Sequence, residues 1–65
     1  MLFLETRSGT IAETAIISIS AINTRPHCPP WHDVTYRVGR EARETRASKE
    51  AVERYWDAGA RRRIL

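Results

Sequence analysis

Apolar and polar positions alternate along most of the chain, with a period of two. Leu2, Leu4 and Thr6 alternate with Phe3, Glu5 and Arg7, which predicts a strand with one apolar face. Arg7-Ser8-Gly9-Thr10 reads as a turn, and Ile11 to Ala15 as a short returning strand. Ala15 to Ile22 is dense in β-branched residues, with Ile17, Ile19 and Ala21 sharing one face. It reads as the central strand. Residues 23–33 hold all three prolines, Pro26, Pro29 and Pro30, and read as a proline-rich loop. Val34, Tyr36 and Val38 alternate with Thr35 and Arg37 as a further strand, closed by a turn at Gly39.

The pattern is less decisive after Gly39. Glu41 to Ala47 reads as a charged edge strand that resists further pairing. The competing reading is one long helix from Arg40 to Ala58, supported by i,i+4 charge pairs. Only Ala42 and Ala47 would give its first half an apolar stripe, so the strand is preferred. Ser48 is a suitable N-cap, and Ala51, Val52, Tyr55 and Trp56 form one apolar stripe. A helix is expected from Lys49 to Ala58, with Gly59 just beyond its end. The expected fold class is α+β. It is a small antiparallel sheet of three or four strands with one C-terminal helix packed on one face. The expected core is Leu2, Leu4, Ile17, Ile19, Val34, Tyr36, Val38, Val52 and Tyr55, with Trp56 at its edge.

With 65 residues, the whole chain 1–65 reads as a single domain ending in a basic tail over 60–65. A domain of this size hides only roughly 60% of its unfolded surface. Small cores are usually stapled by a disulfide, a metal or a partner. The single cysteine, Cys28, excludes an internal disulfide. Self-association is therefore the expected staple. No apolar run approaches the roughly 20 residues of a membrane span, and the N-terminus has no basic segment ahead of an apolar one. The reading is a cytoplasmic protein with no membrane partner, Cys28 staying reduced.

In overall order the chain resembles the short flagellar and swarming-motility proteins of the FlbD type. The matching segments are Met1-Leu2-Phe3-Leu4-Glu5-Thr6-Arg7-Ser8-Gly9, Ile17-Ser18-Ile19, Val34-Thr35-Tyr36-Arg37-Val38-Gly39 and Ser48-Lys49-Glu50-Ala51-Val52-Glu53. The proline-rich segment and the Arg-rich tail depart from that pattern. The resemblance implies a small bacterial regulatory component without enzymatic activity.

Charge adds a second candidate function. Eleven basic residues face eight acidic ones, for a net charge of +3, and ten of the eleven are Arg. GC-rich codon usage explains such a bias without function. Arg is also the residue suited to phosphate and carboxylate forks. Arg37, Arg40, Arg43, Arg46 and Lys49 recur every three residues, but the interleaved Glu41 and Glu44 favour a solvated surface. Arg61-Arg62-Arg63 is a basic patch that reads either as a solvated tail or as a contact working with Arg54 and Arg40. Trp31, flanked by prolines, is the candidate for gripping a partner or stacking on a base. It reads equally as a lid on the core.

His27, Cys28 and His32 are zinc-ligand types within one segment. Their spacing fits no known zinc module, and no second ligand cluster follows. Cys28 with His32 as a nucleophile and base lacks an orienting third group. No cofactor, no metal and no catalytic residue is therefore expected. The reading is a non-catalytic interaction or assembly module, expected to be a homo-oligomer, with an unidentified protein partner. The alternative is a small nucleic-acid-binding protein using Trp31, Arg40, Arg54, Arg61, Arg62 and Arg63.

Overall fold

The structure is a computed structural model that describes residues 2–61. Its elements are β1 (Phe3–Thr6), β2 (Gly9–Ala12), a 3-10 turn (Glu13–Ala15), β3 (Ile16–Ile19), β4 (Asn23–Arg25), β5 (Cys28–Val38), β6 (Glu41–Ser48) and α1 (Lys49–Asp57). The fold class is α+β, with antiparallel sheets of two and four strands and one helix. Strands β1 and β2 form the smaller sheet. In the larger one, β5 pairs with β6 along one edge and with β3 and β4 along the other. No helix among the described residues is long and apolar enough to cross a membrane.

Residues 41–48 form a strand, as the poor apolar stripe predicted. A two-residue turn, Gly39-Arg40, joins Val38 to its partner Glu41. Gly39 has φ +60, the first position of a tight hairpin turn that favours glycine. The register then runs unbroken to Trp31 opposite Ser48. Ser48 ends the strand and caps the helix, its Oγ accepting from the Ala51 N–H at 3.1 Å. The helix covers Lys49–Asp57, within one residue of expectation. Gly59 follows at φ +101, its N–H bonded to the Trp56 carbonyl.

The expected loop over 23–33 is instead a hairpin. Arg25 pairs with Cys28 across Pro26-His27. Proline presets the first turn position, and His27 takes the left-handed one at φ +65. Pro29 and Pro30 lie inside β5, which their missing N–H groups argued against. Two circumstances allow it. Strand β6 stops at Ser48 opposite Trp31, so no donor is needed on that side. On the other side, the β4–β5 register shifts between Asn23 and Arg25. The prolines occupy this irregularity, where the ladder is already interrupted.

The buried apolar cluster joins Leu4, Ile11, Ile16, Ile19, Val34, Ala47, Ala51, Val52, Tyr55 and Ala60. Leu2, Tyr36 and Trp56 pack against it, partly buried. Two expected core residues are outside it: Ile17 and Val38 are exposed. Ile16 opposes Tyr36 and Ser18 opposes Thr35, so Ile17 is an extra residue on β3. That bulge breaks the strict alternation, turning Ile16 and Ile19 inward and Ile17 outward. Ile16, absent from the expected core, is only 2% exposed. Val38 sits at the hairpin end of β5, beyond the covered part of the sheet. Ala60 is buried and the Arg61 N–H donates to Glu13 Oε2 at 3.2 Å, so the basic tail is docked at its start.

Candidate functional site

Strand alternation sorts β5 into two faces. His32 and Val34 point into the core, whereas Trp31 and Asp33 point to the opposite face. On that outer face the hairpin register sets Arg46 directly across from Asp33. Arg46 is thereby diagonal to Trp31, and its guanidinium lies 4.6 Å from the indole centroid. The Arg25 guanidinium lies 5.9 Å from the same ring. Both distances fit cation–π attraction, worth about 0.5–1 kcal/mol at exposed sites.

Asp33 ties this cluster together. Its Oδ1 accepts from Trp31 Nε1 at 3.2 Å and lies 3.8 Å from Arg46 Nε. Its Oδ2 accepts from Asn23 Nδ2 at 3.2 Å. The indole is thus oriented by a carboxylate in its own strand, with one cation stacked on it. Beside Trp31 opens a groove of about 440 Å³. Pro29, Pro30 and Trp31 form one side, Glu5, Thr6 and Arg7 another, and Ala51 and Arg54 of α1 a third. Strand β1 reaches it because the Arg7 N–H bonds the Arg46 carbonyl and Ser8 Oγ shares a 2.8 Å hydrogen bond with Thr45 Oγ1.

The groove carries both signs of charge. Arg7, Arg46 and Arg54 line it together with Glu5. Arg54 Nη2 lies 3.9 Å from Glu5 Oε2, and both side chains are largely exposed. Such a pair contributes little to stability. Arg7 has no ion pair among the described residues.

Of the residues expected at a site, the fold brings Trp31 and Arg54 together. Arg40 is in the β5–β6 turn, about 23 Å of strand away from Trp31. Arg61 is held against Glu13. Arg62 and Arg63 lie outside the described residues. Sequence reasoning missed Arg7, Arg25, Arg46 and Asp33 as neighbours of Trp31. The signal for two of them was present: counting outward from Gly39-Arg40 puts Arg46 opposite Asp33.

His27, Cys28 and His32 do not converge. His27 occupies the turn and Cys28 is exposed at the start of β5. His32 is buried, four residues and about 13 Å of strand beyond Cys28. Its Nδ1 lies 2.8 Å from the Ser20 carbonyl, which fixes the proton on that nitrogen. The ring meets Trp56 edge-on, with centroids 5.5 Å apart. His32 thus links β5 to the β3–β4 connection and to the helix. Among the described residues no group of three His, Cys, Asp or Glu side chains is arranged to hold a metal ion. Comparison with known proteins finds no matching family, no matching curated protein and no matching solved structure.

Proposed function

We propose that the chain is a non-catalytic protein-interaction or assembly module that works by self-association. One observation carries this reading. Among the described residues, Phe3, Ile17, Ile22 and Val38 are exposed large apolar side chains, beside a core in which Leu4, Ile19, Val34 and Val52 are the largest that are fully buried. A thin core beside so much uncovered apolar surface suits a fold completed by a second chain. The resemblance to the FlbD-type proteins supports a non-catalytic module and nothing finer. The proposal includes a cytosolic setting, in which the exposed Cys28 stays a free thiol.

The test is sedimentation velocity over a wide range of protein concentration, at low and at high salt. A concentration-dependent dimer or larger species that survives high salt is the expected result, because apolar contacts are not screened. A monomer under all conditions would sink the proposal.

The second reading is nucleic-acid binding, favoured by Trp31 having two guanidinium groups within 6 Å of its ring, with Arg7 and Arg54 lining the same groove. It predicts quenching of Trp31 fluorescence by mixed-sequence single strands, lost between low and physiological salt as counterion release weakens. Salt-sensitive quenching by a monomeric protein would put this reading first.

A further inference from the structure

We propose that two copies of the chain pair face to face about a two-fold axis beside Glu5. The Phe3 ring of each then enters the Trp31 groove of the other. This rests on the self-association reading and names its surface and its partner.

The argument begins in β1. Phe3 and Glu5 are alternate residues on one face of the strand, and Arg7 follows in the turn. The Trp31 groove includes Glu5 and Arg7. A smaller hollow of about 120 Å³ includes Phe3 and Glu5. Ala51 and Arg54 of α1 border both. Glu5, Ala51 and Arg54 are shared by the two hollows, with Phe3 at the far end of one and Arg7 and Trp31 in the other, so Phe3 and the body of the groove flank Glu5. A two-fold axis beside Glu5 carries the Phe3 of one copy onto the groove of the other, and the operation is reciprocal.

The chemistry of the two halves is complementary. Phe3 is 54% exposed, a large aromatic side chain with half its surface uncovered. The groove offers it the Trp31 indole and two prolines whose fixed backbone needs no ordering on binding. The charges complement each other as well. Near the axis each Glu5 faces the Arg54 of the other copy, so the loose intrachain pair at 3.9 Å is exchanged for two crossed pairs. A nucleic-acid strand suits this face less well, because Glu5 and Asp33 would oppose its phosphates.

The test uses the full chain and five variants: Phe3→Ser, Trp31→Ala, Glu5→Arg, Arg54→Glu and Arg54→Gln. All replace side chains that are not buried, and circular dichroism checks each fold. Phe3→Ser and Trp31→Ala should each weaken association on the order of 30-fold, the loss typical of a central aromatic contact. Glu5→Arg brings four cations to the axis and Arg54→Glu four anions, so each alone should be monomeric. Mixing those two should restore a heterodimer, since every crossed pair is again opposite in sign. Arg54→Gln should dimerise more weakly than wild type without being abolished. If the wild type associates but the mixture stays monomeric, or Phe3→Ser associates normally, this surface is wrong while self-association stands. If the wild type is a monomer at every concentration, the self-association reading itself fails. A monomer that binds oligonucleotides would assign the groove to nucleic acid instead.

Discussion

Three isoleucines within four positions have two different fates. Ile16 and Ile19 are buried, and Ile17 is 42% exposed because the β3 bulge turns it outward. Ile19→Ala should therefore cost about 2–5 kcal/mol, the usual loss for a buried aliphatic side chain. A domain of this size has roughly 3–10 kcal/mol in all, so the variant should be marginal in a urea titration. Ile17→Ala should stay within about 0.5 kcal/mol of the wild type. Equal losses at the two positions would mean that the bulge is absent in solution. The alternation placed Ile19 in the core correctly, but it put Ile17 beside it where the fold puts Ile16. A bulge is set by the partner strand, and nothing local to Ile16-Ile17-Ser18 announces it. The same holds for His32. Its chemistry suggested a ligand or a base, but the decision came from the Ser20 carbonyl 2.8 Å from its Nδ1 and from the edge-on Trp56 ring.

Strands and turns were most legible where the signal was local. The helix, its Ser48 cap and its Gly59 stop follow from neighbouring residues, and so does the tight turn at Gly39. That turn sets the register of the longest pairing in the sheet. A Cβ on Gly39 would meet nothing within 4 Å, so Gly39→Ala isolates the backbone conformation. At φ +60 it should cost about 1–2 kcal/mol, measured by thermal or urea unfolding. A neutral result would show that the turn adopts another geometry. The proline segment was misread for the opposite reason. A missing N–H matters only where a partner strand waits for it, and around Pro29 and Pro30 none does. Correcting that one element also delivers the site. Once β5 is seen to run through the prolines, Trp31 and Asp33 fall on the face opposite the core, beside Arg46. The contribution of β1 could not be read this way, because it depends on how the first hairpin docks against β6 through Arg7 and Ser8.

For the whole molecule the question is how so small a core is completed. The sequence already pointed to a partner by elimination, and the fold adds an exposed Phe3 near the Trp31 groove. If the second copy supplies the missing burial, folding and association are linked, and mass action must appear in the melting temperature. Each tenfold rise in protein concentration adds about 1.4 kcal/mol to the dimer. For two chains of this length unfolding together, that raises Tm by roughly 5 °C. The wild type should show this slope in a calorimetric series, and the Phe3→Ser variant, associating roughly 30-fold more weakly, should show a lower Tm at every concentration. The variant serves as the control, because Phe3 is exposed in the single chain and its removal should leave the monomer fold intact. A wild-type Tm independent of concentration would mean that the core suffices alone and that the exposed Phe3 serves a different chain.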